Sequence, residues 1–219
     1  MEILYAILFL IYAIVPPLLV NRTLNLIYVK RDKYGWHYQY LFKYLITLSF
    51  LPLLLIKDFD LALVPKSPVS LILLTTTVLL AVFLLPFARK NKVVFLYLGG
   101  IFAAFMEEIL YRGVLFGLAM LIFHSQWIAL VLSSLAFGGW HLKNIPWSGK
   151  KGATKQFFYT ALYAGPLFSV LRIFTGDIYL AVFIHYLMDT SVALAPNWSR
   201  GWLVFGGRGK NDKDDFDKS

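Results

Sequence analysis

The sequence predicts an all-α fold, a polytopic membrane bundle of about seven transmembrane helices. Three observations carry that expectation. Of 219 residues, 59% are hydrophobic and only 15% charged, whereas a soluble domain carries roughly a quarter charged residues. The apolar residues fall in blocks long enough to cross a bilayer, which takes about 20 residues of helix. Between the blocks lie short polar segments that hold most of the Lys and Arg.

The blocks run in order at about 3–20, 38–56, 69–88, 93–122, 126–145, 156–174 and 178–196. The first, "MEILYAILFLIYAIVPPLLV", has no basic n-region and no small-residue cleavage site, so it reads as a retained span rather than a signal peptide. The fourth block is long. At about 1.5 Å per residue it exceeds a ~30 Å hydrocarbon core, so it must tilt, break or protrude. The pair Gly99–Gly100 is the expected place for a bend. No internal repeat is present. Residues 1–92 are read as N-terminal transmembrane helices, 93–199 as the functional core, and 200–219, polar and of mixed charge, as a disordered cytoplasmic tail.

Lys and Arg orient the chain. The first, third and fifth connections and the C-terminal tail hold 16 of the 21, while the alternate connections hold only Lys57, Lys66 and Arg172. Positive charge collects on the cytoplasmic side, which predicts an external N-terminus and a cytoplasmic C-terminus. The net charge of +9 is membrane-orienting charge; no basic stripe interleaved with aromatics points to nucleic acid. The absence of cysteine removes disulfides, thiol nucleophiles and thiolate metal sites.

Ionisable groups inside these blocks need a reason, since each costs about 2.5–3.5 kcal/mol at mid-membrane. They are Lys43, Glu107, Glu108, Arg112, His141, His185 and Asp189. Lys43 lies near the start of its block and can snorkel to the interface. Glu108 and Arg112 are i,i+4 neighbours, able to pair. Glu107 is turned about 100° from Glu108, so both carboxylates cannot aim at one small site without distortion. One carboxylate then braces the scaffold through Arg112, and Glu107 is the one free for chemistry. In "FGGWH", Phe137 and His141 are i,i+4, and the glycines between them leave room for another helix. In "HYLMD", His185 and Asp189 are i,i+4 and can meet each other or a common ligand. Each element taken alone has a structural reading, as an ion pair, an interfacial histidine or a packing contact. Three separate blocks each bringing acid or base groups favour one shared polar site.

A carboxylate and an imidazole on facing helices can activate water, and a second histidine opposite could stabilise a tetrahedral oxyanion. Those are the parts of water-activated peptide hydrolysis. The sequence has no HExxH zinc motif and no GxSxG elbow, and "TGDIY" lacks the GxGD pattern of intramembrane aspartyl proteases.

"EEILYR" fits EExxxR, "FGGWH" fits FxxxH and "HYLMD" fits HxxxN/D. Their order and their placement on separate apolar helices resemble the CPBP family, the type II CAAX prenyl proteases and bacteriocin-processing proteins, over about residues 93–196. The resemblance implies an intramembrane glutamic endopeptidase acting on a membrane-associated peptide, possible targets being a prenylated CAAX-type or bacteriocin-like one. It implies that Glu107 activates water with His141, that His185 and residue 189 form the oxyanion site, and that Glu108 and Arg112 support them. Position 189 departs from the common Asn. An ionised Asp only accepts hydrogen bonds, so Asp189 is expected to be protonated by burial or to orient His185. The resemblance implies metal-free catalysis with no cofactor; the alternative is zinc or another divalent ion held by Glu107, His141 and His185. Against the peptidase stand a non-catalytic immunity or peptide-binding protein using the same pocket and, more weakly, a proton-coupled transporter.

Overall fold

The computed structural model describes residues 1–32, 35–88 and 92–194. Among them are seven helices and no strand. Helix α1 is Glu2–Tyr28, α2 is Gly35–Leu48, followed by a 3₁₀ turn at Leu51–Leu55, and α3 is Pro68–Ala88. Helix α4 covers 92–123 and is built from Lys92–Glu108, a π-helical segment Ile109–Leu115, and Phe116–Phe123. Helix α5 is Gln126–His141, ending in a 3₁₀ turn at Leu142–Asn144. Helix α6 covers 145–175 with a break at Gly149 (φ 71°) and a second π segment, Thr160–Ala164. Helix α7 is Tyr179–Leu194.

The protein is an all-α membrane bundle. Three helices, Glu2–Ile27, Pro68–Phe87 and Ser148–Thr175, are long and apolar enough to cross a bilayer on their own composition. The apolar side chains of α3 point outward, with Leu79 65% and Phe83 67% exposed. An outward apolar surface of this kind is the mark of a membrane or protein contact rather than of a face held in water. Helix α4 carries Glu107, Glu108 and Arg112 in its interior and is the central element: α1, α3, α5 and α7 all pack on it. The core around it contains Leu110, Tyr111, Val114, Phe137, Trp140 and Phe168, all buried.

Several sequence expectations shift. The fourth block does not bend at Gly99–Gly100, which stay helical; its irregularity is the π segment ten residues on. Glycine permits a bend but does not impose one, and a Cβ at Gly99 would meet nothing within 4 Å. The second block shortens at Leu48, because Pro52 opens a 3₁₀ turn rather than continuing the helix. The sixth starts earlier than 156, running back toward Ser148. The fifth ends at His141, not 145. The expected tail at 200–219 and the last two residues of the seventh block lie outside the described residues.

The loop end opposite the histidines is tied by Asp177. Its buried carboxylate accepts from Lys66 N (2.8 Å), Ser70 Oγ (2.9 Å) and Tyr179 N (3.2 Å), joining the starts of α3 and α7.

Candidate active site

The π segment begins immediately after Glu108, so the helix widens by one residue just where its ionisable groups lie. The pair expected from spacing forms there. Arg112 Nη1 donates to Glu108 Oε1 at 3.3 Å, and Nε lies 3.2 Å from Oε2, both side chains being fully buried. The second of these contacts lacks hydrogen-bond alignment, so it is electrostatic. Arg112 Nη2 also donates to the Gly165 carbonyl at 3.0 Å. Its guanidinium is flanked by the rings of Phe137 and Phe168, at 4.4 and 5.1 Å from their centroids. The close approach of α6 depends on glycine: a Cβ at Gly165 would meet Ser134 Cβ at 2.8 Å and Thr160 O at 2.7 Å.

His185 reaches this pair from α7. Its Nδ1 is 2.7 Å from Glu108 Oε1. A carboxylate engaged by arginine only accepts, so Nδ1 carries the proton and donates. The ring's other edge, Nε2, lies 3.6 Å from Asp189 Oδ2 and 3.9 Å from Glu107 Oε2. Three carboxylates therefore surround one imidazole. Glu107 and Glu108, expected not to aim at one small site without distortion, both meet this one because the imidazole is itself two-edged: one carboxylate lies on each side of the ring. The short contact that orients His185 comes from Glu108, with Asp189 looser and 33% exposed.

His141, at the end of α5, makes a 3.1 Å contact from Nδ1 to the Phe137 carbonyl. That oxygen can only accept, which fixes the proton on Nδ1 and leaves Nε2 with its lone pair in the neutral ring. Phe137 lies beneath both histidines, with ring centroids 5.2 Å from His141 and 5.6 Å from His185. It forms the apolar floor of the cluster as well as shielding His141. Of the glycines in "FGGWH", only Gly138 admits a neighbour: a Cβ there would meet Ala161 Cβ at 2.7 Å, while Gly139 faces open space.

The structure thus gathers residues from three helices, with Glu107, Glu108 and Asp189 on the edges of His185 and His141 one α5 turn from their common floor. Three participants escaped the sequence reading. Phe168 stacks on His185 at 5.0 Å with rings 21° apart, Gly165 supplies the carbonyl for Arg112, and Lys143 contacts Glu107 at 3.5 Å. Phe168 and Gly165 sit in an apolar block that carries no distinguishing signal. Lys43, expected to snorkel, lies on α2 with its side chain half-buried. Among the described residues no three His, Asp or Glu side chains converge as a ligand set for a metal ion. A separate cavity of about 330 Å³, lined by Asp58, Asp60, Phe116, His124 and Arg172, lies toward the other end of α4.

One comparison bears on this cluster. Residues 89–191 match the family model described as type II CAAX prenyl endopeptidase Rce1-like. The matched segment contains all three motifs. No curated protein and no solved structure matches the chain.

Proposed function

Because residues 89–191 match the model of the Rce1-like type II CAAX prenyl endopeptidases, we propose that the chain is an intramembrane glutamic endopeptidase whose working groups are Glu107, His141, His185 and Asp189. A CAAX-type intramembrane protease is what that match supports in general. The observation that carries the finer reading is the division of labour around His185. Glu108 is consumed by Arg112 and His185 Nδ1. Among the described residues Glu107 makes only longer contacts, 3.5 Å to Lys143 and 3.9 Å to His185. Of the two adjacent α4 carboxylates, it is the one with capacity left for water.

In this reading a water molecule between Glu107 and His141 Nε2 loses a proton to Glu107 as its oxygen attacks the scissile carbonyl carbon. The carbonyl electron pair becomes the oxyanion. With Nδ1 committed to Glu108, His185 can help that oxyanion only through a proton on Nε2, the edge facing Glu107 and Asp189. Collapse of the intermediate breaks the C–N bond, and the proton held by Glu107 passes to the leaving amine. Glu108, Arg112 and Phe137 hold the imidazoles in place. The substrate is a membrane-associated peptide, with prenylated CAAX-type and bacteriocin-like peptides as the classes to try. Charge distribution favours an external N-terminus, a cytoplasmic C-terminus and substrate entry from the cytoplasmic side, since His141 lies near that end of α5.

The test is peptide cleavage by the purified full-length protein in detergent, read by mass spectrometry, with farnesylated CAAX peptides in the panel. Cleavage by wild type and none by Glu107→Gln is the expected result. Equal cleavage by both would remove Glu107 as the base. If the Glu107→Gln and His141→Ala variants kept the biological function in cells, the immunity or peptide-binding reading would replace catalysis.

A further inference from the structure

Lys143 belongs by sequence to the polar connection after α5, where a lysine has easy access to water. The fold withdraws it. Its side chain is only 10% exposed, with Nζ 3.5 Å from Glu107 Oε1 and 3.5 Å from the centroid of the Trp140 ring. Its backbone is tied as well, the carbonyl accepting from Asn21 Nδ2 of α1 at 2.8 Å. The 3₁₀ turn Leu142–Asn144 winds more tightly than the α-helix before it, and Lys143 leaves that turn directed back at α4.

A buried ammonium persists where a partner charge offsets its desolvation. The cluster holds three carboxylates, Glu107, Glu108 and Asp189. Arg112 is committed to Glu108 and the Gly165 carbonyl. Lys143 is the one Lys or Arg within 4 Å of Glu107 among the described residues. It engages Oε1, whereas the oxygen that faces His185 is Oε2.

Resting on the protease reading, we propose that Lys143 is a positioning residue for the reaction: it fixes Glu107 through Oε1 so that Oε2 is the oxygen that takes the proton from water. Lys143 exchanges no atom in that step. The water O–H bond breaks, the proton goes to Oε2, and the new C–O bond forms on the substrate. Asn21 holds the lysine in register, so helix α1, outside the family-matched segment, forms part of the functional unit.

Two measurements on the full-length protein test this. The first is independent of activity. Acylation of lysines by an N-hydroxysuccinimide ester, mapped by mass spectrometry, is expected to label Lys143 far more slowly than the exposed Lys150 and Lys151. Glu107→Gln is expected to raise the Lys143 rate several-fold and leave the other two unchanged. Labelling of Lys143 as fast as Lys150 in wild type, or indifferent to Glu107→Gln, would overturn the pairing. The second measurement uses a farnesylated CAAX peptide and a non-prenylated membrane-anchored peptide as probes. Lys143→Met is expected to lower kcat about a hundredfold, the scale of a ~1 Å misplacement of a reacting group, with KM nearly unchanged. Lys143→Arg, which restores the cation, is expected to recover most of that loss. A Lys143→Met enzyme with wild-type kcat, or an arginine variant as slow as the methionine one, would refute the positioning role. Wild type that cleaves neither probe would count against the protease reading itself, while the labelling still decides the pairing.

Discussion

Replacing Arg112 by methionine keeps an aliphatic stem between Phe137 and Phe168 but removes the guanidinium from a fully buried contact. Glu108 would then be left at zero exposure with His185 Nδ1 as its remaining partner. Breaking a buried ion pair from one side costs about 3–5 kcal/mol, because the surviving charge stays desolvated. The Gly165 carbonyl loses its 3.0 Å donor as well, worth about 1–3 kcal/mol where nothing replaces it. These losses overlap, and methionine returns some apolar packing, so a net destabilisation of about 4 kcal/mol is expected. Unfolding from mixed micelles by increasing SDS fraction, followed by far-UV circular dichroism, would measure it. A second variant sharpens the reasoning. Glu108→Gln removes the charge but keeps a carbonyl able to accept from His185 Nδ1. The double variant Arg112→Met/Glu108→Gln should therefore be less destabilised than the sum of the singles, by about 1–3 kcal/mol of coupling. Additive singles, or an Arg112→Met variant within about 1 kcal/mol of wild type, would show that the pair does not hold the core in the way argued here.

Gly138→Val should destabilise by about 1–3 kcal/mol through overpacking against Ala161 and Phe157, while Gly139→Ala, facing open space, should be neutral or gain up to about 1 kcal/mol of helix propensity in the same assay. Asp189→Asn is expected to keep cleavage within about tenfold of wild type in kcat/KM, since Glu108 already orients His185; loss as complete as in Glu107→Gln would show that Glu108 does not orient His185 without Asp189. Asp60, outside the helices, has its carboxyl held below the usual value: burial pushes it up, but the hydrogen bonds from Lys66 and the Ala62 N–H, with the Lys66 and Arg172 charges, outweigh that. Its folded value being depressed, the stability it contributes is present near neutral pH and is lost as pH falls through that value. Asp60→Asn should remove this component of the acid destabilisation, and an unchanged pH–stability curve would show that the partners do not act on Asp60.

The bundle and its ionisable groups were legible in the sequence because lipid makes both conspicuous: apolar runs mark spans, and a charge within one stands out. The Glu108–Arg112 pair was legible for the same reason that any i,i+4 pair is, as one helix's geometry sets it. What spacing along one helix could not reveal was the third dimension. His185 takes a carboxylate on each edge only because α7 approaches α4 between the two. Lys143 read as a loop charge because the 3₁₀ turn that returns it to Glu107 carries no strong sequence mark. Phe168 and Gly165 belong to a run whose apolar character is the same whether it faces lipid or arginine.

The π segment of α4 has a consequence for how this chain tolerates change in length. Seven residues wound as Ile109–Leu115 make the helix two α-helical rods offset in phase. The upstream rod presents Glu107 and Glu108 to α7, and the downstream rod presents Gly117 to Phe59, whose ring would lie 2.9 Å from a Cβ there. A residue deleted from either regular rod would rotate everything beyond it by about 100° and point one of these faces into lipid. A residue deleted from the widened turn has surplus winding to draw on, so the two faces could keep their bearings. Helix α4 should accept a change in length within this turn, at a position other than Arg112, more readily than along its uniform apolar stretches.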